Sequence, residues 1–147
     1  MKRSIPLVLA AAAVAALAAS AAGTAAAKPS SSTPTLTILV KSDDEHAKKG
    51  PDGKWHDAFL PANPVVKAGQ KTRITFVNYD GGAHSLVAPG LGLNVAIPAA
   101  KGSTPGRVTI TLKAAKAGSY DWWCGSPCDP WAMTHNGYMR GSIRVTH

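Results

Sequence analysis

From residue 35 onward, apolar and polar residues alternate in short runs that stop at Gly or Pro, a pattern of strands rather than helices. Residues 107–113 (Arg-Val-Thr-Ile-Thr-Leu-Lys) are the cleanest case, with Val108, Ile110 and Leu112 on one face and Thr109 and Thr111 on the other. Residues 72–77 repeat it, setting Ile74 and Phe76 against Arg73 and Thr75. Residues 35–40 are rich in β-branched side chains, and residues 58–61 and 64–67 are short extended pieces ending at the turn Ala68-Gly69. Residues 78–82 turn the chain, residues 84–87 resume the sheet, and residues 119–124 and 142–146 supply the last strands. Two stretches read as irregular. Residues 42–57 are polar, a loop or an excursion from the sheet, in which His46 and His56 read as solvated surface histidines rather than a second metal site. Residues 88–106 are rich in Gly, Pro and Ala and read as one long loop. Residues 129–134 suit a single helical turn, with Pro130 in its first turn. Roughly seven short strands between Gly/Pro turns predict an all-β fold, an antiparallel Greek-key β-sandwich or barrel.

The first residues follow another pattern. Lys2 and Arg3 precede an apolar run over residues 5–17, and small residues follow, ending in Ala25-Ala-Ala27. That is the layout of a secretory signal peptide over residues 1–27. The run is shorter than the roughly 20 residues of a membrane span, so no span is expected after cleavage; an uncleaved N-terminal anchor is the alternative. Residues 28–34 read as a Ser/Pro linker and residues 35–147 as one domain. The expected location is therefore outside the cytoplasm: periplasmic, cell-envelope or extracellular. Losing Lys2 and Arg3 lowers the formal charge from +8 to +6. The basic residues are scattered and the protein is exported, which argues against nucleic acid; an acidic protein or anionic surface suits such a charge better.

The chemistry gathers in residues 120–139. Both cysteines of the chain, Cys124 and Cys128, lie there, followed by Met133, His135 and Met139. Thiols, imidazole and thioether form a soft ligand set that suits copper, zinc less well, and magnesium or calcium not at all. His84, after the turn at residues 78–82, is the candidate for a ligand from elsewhere in the fold. Two cysteines in an exported protein would by themselves read as a disulfide, which leaves a metal-free, disulfide-bonded sandwich as an alternative. A disulfide, however, has no need of His84, His135 or Met139. Thiolate and imidazole serve both copper oxidation states, and Trp122, Trp123 and Trp131 supply an apolar surround that tunes potential. No nucleophile with an adjacent base and no carboxylate pair argues for catalysis, so the expected role is not that of an enzyme.

These residues resemble the cupredoxin family. Phe59-Leu-Pro61, Val66-Lys-Ala-Gly69, residues 74–80 and His84 look like its strand-turn-ligand pattern. Residues 84–92 (His-Ser-Leu-Val-Ala-Pro-Gly-Leu-Gly) with Ile97-Pro98 are similar to the stretch after the first copper histidine of cytochrome c oxidase subunit II, and Cys124-x3-Cys128 to the paired thiolates of its binuclear CuA centre. The resemblance spans roughly residues 58–145. It implies that His84 and His135 each bind one copper, that Cys124 and Cys128 bridge the two, and that Met139 is a weak ligand, with the Ser126 carbonyl a further one. In that family the second histidine follows the second cysteine after three residues and the methionine after two more. Here six residues precede His135 and three separate it from Met139, which leaves open a mononuclear site of His84, one Cys, His135 and Met139. The acidic residue usual before the Ile-Pro pair and the subunit's membrane helices are also missing. The resemblance implies a small, monomeric electron carrier with a cytochrome or oxidase as redox partner. The alternative is a protein that stores or delivers copper, for example to an oxidase.

Overall fold

β-branched and aromatic residues at alternate positions form strands whose inner faces meet in one core, in the computed structural model, which describes residues 32–147. The signal peptide expected over residues 1–27 and most of the linker lie outside the described residues. In chain order the strands are β1 (Thr35–Lys41), β2 (Lys48–Lys49), β3 (Trp55–His56), β4 (Ala58–Leu60), β5 (Val65–Lys67), β6 (Thr72–Asn78), β7 (His84–Ala88), β8 (Leu93–Ile97), β9 (Gly106–Leu112), β10 (Gly118–Trp123) and β11 (Arg140–Thr146). One sheet has the order β4-β1-β6-β9, the other β5-β11-β10-β7-β8, and β2 and β3 form a separate hairpin. The all-β sandwich expected from the pattern is therefore present. Antiparallel pairing dominates, but β1 pairs with β6 and β11 with β5 in parallel. Among the described residues, no helix is long and apolar enough to cross a membrane.

The core follows the alternation. Ile74 and Phe76 are buried while Arg73 is exposed, and in β9 Leu112 is buried while Thr109 and Thr111 are exposed. Phe59, Phe76, Trp122, Leu86 and Ile143 bring both sheets into a single cluster. Phe59 is its hinge point, with its ring 4.7 Å from Trp122 and 6.4 Å from both Phe76 and His84. Gly141 faces Trp122 across the β10–β11 pairing, where a Cβ would come within 2.5 Å of the Ala62 carbonyl that accepts the Trp122 indole N–H at 2.8 Å.

Two expectations are corrected. Residues 88–106 are not one loop: after a short 3-10 turn at Pro89–Leu91, β8 pairs with β7 over its full length, His84 opposite Ile97. His56 is not a solvated surface histidine but is only 5% exposed. Its Nδ1 lies 2.7 Å from Asp129 and its Nε2 3.1 Å from Asp52. His46, by contrast, is exposed. The excursion also reaches the far end of the chain through Lys48, whose Nζ donates to the Gly137 carbonyl at 2.8 Å, and through the Lys49 carbonyl, which accepts from the Tyr138 hydroxyl. Burial works against a charged His56 ring, but the hydrogen bonds and charges of Asp129 and Asp52 outweigh it and raise its pKa.

Two measurements test this packing. Phe59→Ala should cost about 3–5 kcal/mol in urea unfolding, the usual range for emptying a buried aromatic site. Because the folded state holds the His56 proton more tightly, its contribution is complete below the ordinary value of 6.5 and is lost as pH rises through the raised one. In the reduced, metal-free protein the stability advantage of the parent over His56→Gln should therefore narrow as pH rises from 6.5 through the raised value.

Candidate metal centre

The site forms where β7 begins and β10 ends. Asn78, fully buried at the end of β6, donates from its amide to the carbonyls of Gly82 (2.8 Å) and Pro98 (3.0 Å), and its Oδ1 accepts from the Asp80 N–H at 3.0 Å. This Asx turn fixes residues 78–82. It sets Asp80 Oδ2 2.7 Å from His84 Nε2. With its Nε2–H donated to that carboxylate, the buried ring turns Nδ1 toward Cys124, 3.8 Å from the sulfur. Cys124 directly follows β10, and its N–H donates to the Met139 carbonyl at 2.8 Å, closing the neck of the loop that leads into β11. Across the neighbouring strand, the Gly125 N–H donates to the Ser85 hydroxyl at 2.9 Å.

The two thiols are free, with their sulfurs 2.9 Å apart, Cys124 buried and Cys128 half-buried. The Cys128 S–H donates to Cys124, and its sulfur also lies 2.9 Å from the Ser126 carbonyl. That thiol hydrogen bond, outweighing burial and helped by His84, holds the Cys124 pKa far below the ordinary thiol value. The Cys124 charge pushes Cys128 far up in turn. The pair therefore favours ionising Cys124 before Cys128. The His84 pKa is raised, because the thiolate and Asp80 overcome the burial of the ring. One ligand atom each from His84, Cys124 and Cys128 lies within 4.8 Å of the others. Two soft sulfurs and one imidazole nitrogen converging in a mostly buried site fit copper.

Of the remaining sequence candidates, His135 is not in this cluster. His135 follows α1 (Pro130–Thr134), stacks on Trp131 with ring centroids 3.6 Å apart, and places Nδ1 2.7 Å from the Trp131 carbonyl. Donating Nδ1–H there leaves Nε2 as its free nitrogen. Met139 is fully buried beside Cys124 in the loop neck, and Met133 packs at the edge of the core. Gly137, with φ of 90°, supplies the left-handed turn that returns the chain to β11. Residues outside the sequence candidates also contribute. Asp57, nearly buried, accepts from the backbone N–H groups of Asp43 (3.0 Å) and Asp129 (3.3 Å), and shares a 4.8 Å cluster with Asp80 and His84. Burial raises its pKa, against the pull of those two amides. Asp80 had a readable signal, an acid four residues before a candidate ligand at a turn. Asp57 had none.

Removing the donor to the Cys124 thiolate tests the pairing. In reduced, metal-free protein the first thiol should ionise well below the ordinary range, as read by pH-dependent thiolate absorbance. In Cys128→Ala the surviving Cys124 should titrate at higher pH.

The family model described as the cupredoxin-like domain matches residues 7–142. No curated protein matches the chain. Among solved structures, copper nitrite reductase from Nitrosomonas europaea is similar at 21% identity and a TM-score of 0.52, covering 78% of this chain and 41% of the reductase. A copper binding protein solved in its apo form by NMR is similar at 18% identity and a TM-score of 0.50, covering 76% and 86% of the two chains. The periplasmic domain of cytochrome oxidase subunit II from Bradyrhizobium japonicum follows at 19% identity and a TM-score of 0.49, covering 76% and 84%. These are likenesses of fold. With its family model matched along nearly its whole length, the chain belongs to the cupredoxin-like domain family.

Proposed function

We propose that this is an exported copper-binding electron-transfer protein whose centre is built on His84 Nδ1, Cys124 and Cys128, with His135 and Met139 as further ligands. The observation that carries this reading is the convergence of two free sulfurs and a buried imidazole with its other nitrogen already engaged. A copper ion bound there would supply one-electron chemistry between its two oxidation states. The chain's own residues prepare for it. Asp80 sets the tautomer of His84, the Cys128 thiol favours ionisation of Cys124 before a metal is bound, and Phe59 and Trp122 exclude water behind the site.

In this reading residues 1–27 are the secretory signal, residues 28–34 a linker, and residues 35–147 the working domain, monomeric in the periplasm, envelope or extracellular space. Its redox partner is a cytochrome or an oxidase. A specific observation favours a second reading, copper storage or delivery. His135 stands outside the three-donor cluster, and a three-donor sulfur-rich site suits release of Cu(I) to an acceptor.

Copper stoichiometry with electron paramagnetic resonance, on mature protein loaded under mild reduction, tests the reading. Two coppers sharing one unpaired electron give a hyperfine pattern spread over both nuclei and support the binuclear carrier. One copper with the pattern of a single nucleus means that the longer loop makes a mononuclear centre. Copper bound only as Cu(I) and passed readily to a chelator favours delivery. Absence of bound copper, with Cys124 and Cys128 disulfide-linked in fresh protein, would sink both.

A further inference from the structure

The excursion at residues 42–57 and the segment at residues 129–134 meet in a stack of three rings. His56 lies on one face of Trp131, centroids 3.9 Å apart and planes 17° from parallel. His135 lies on the other face at 3.6 Å and 7°. Tyr138 closes the edge of the indole at 4.9 Å and 88°. An indole enclosed on two faces and one edge has little room to change rotamer.

His56 is itself pinned. Its Nδ1 is 2.7 Å from Asp129 Oδ2 and its Nε2 3.1 Å from Asp52 Oδ2. A neutral imidazole has one N–H, so two carboxylate partners are the pattern of an imidazolium. A cation flat on an indole face is attracted by the ring quadrupole. The same Asp129 uses Oδ1 to cap α1 through the N–H groups of Trp131 (2.8 Å) and Ala132 (3.1 Å). Trp131 in turn holds His135 at two points, its ring face and its carbonyl.

We propose that His56 is a positioning residue of the metal centre: by clamping Trp131 it fixes the plane of His135 and the nitrogen, Nε2, that His135 offers to a metal. The metal half of this rests on the copper reading above; the orientation of His135 belongs to the metal-free protein as well. The excursion is on this view a working part of the centre, and it supports the extra residues that separate Cys128 from His135.

Two readouts test it on the mature protein. Without metal, the His135 ring protons should resonate upfield in NMR spectra, shifted by the Trp131 ring current, with the proton on Nδ1. His56→Ala should abolish much of that shift, and His56→Gln, which keeps a donor for Asp129 without the stack, should abolish part of it. Should His56→Ala fail to fold, His56→Leu, which fills the space without the charge or the aromatic stack and leaves Trp131 in place, is used instead. With copper loaded, retention against a chelator should fall about tenfold in His56→Ala, the low end for losing an outer-shell partner. The same substitution in a His135→Ala background should change nothing further. Unmoved His135 resonances, or an equal loss in both backgrounds, would overturn the proposal, since His56 would then act only on the fold. A wild-type protein that takes up no copper overturns the metal half, while the resonances still decide whether His56 orients His135.

Discussion

Two sulfur atoms held 2.9 Å apart at the end of a β-sandwich cannot both carry a negative charge unless a cation joins them. The arrangement around them answers that constraint. Cys124 is the partner that ionises first because the Cys128 thiol and the nearby backbone face it, and the His84 ring joins them only with a proton on Nδ1. Cys128 keeps its proton because it donates to Cys124, and burial and the Cys124 charge oppose a second negative charge beside it. A metal cation held by these residues would relieve the conflict and release that proton, which would couple metal capture to proton loss. His84 connects this chemistry to the scaffold, one nitrogen toward sulfur and the other on Asp80.

The scaffold delivers these groups by strand register rather than by loop freedom. His84 opens β7, Cys124 follows the last residue of β10, and the single β7–β10 pairing of Val87 with Trp123 sets the distance between them. Behind them, Phe59 and Trp122 fill the core against the imidazole. Asp57 joins three separate segments, accepting from the backbone after β1 and from the backbone after Cys128 while lying beside Asp80.

What could be read from the chain was what depends on neighbours in sequence. The alternation in β6 and β9, the Pro-initiated turn of α1 and the soft donors at Cys124 and Cys128 are local patterns, and each is where the chain placed it. The rest depends on residues far apart. β8 is only five residues long, set among Gly and Pro, and is a strand because β7 lies alongside. His56 is buried because Asp129, distant in the chain, and Trp131 cover it. The parallel pairings of β1 with β6 and β5 with β11 leave no local trace, since hydrophobic alternation does not reveal strand direction. His84 is legible as a candidate ligand from its turn. The separation of His135 from the thiol cluster is not, because a helical turn and a tryptophan face decide it.

Asp129 has one further consequence. Extra residues in a connecting loop ordinarily add slack, since closing a longer loop costs only slightly more entropy while the chain within it wanders. Here the first extra residue is fastened at three points: its N–H to Asp57, one oxygen to the start of α1 and the other to His56. Its own carbonyl accepts from Met133 at 3.0 Å, and Ala132 behind it is fully buried. The added length is thus a strut and not a tether, so a longer loop in this protein does not mean a softer one.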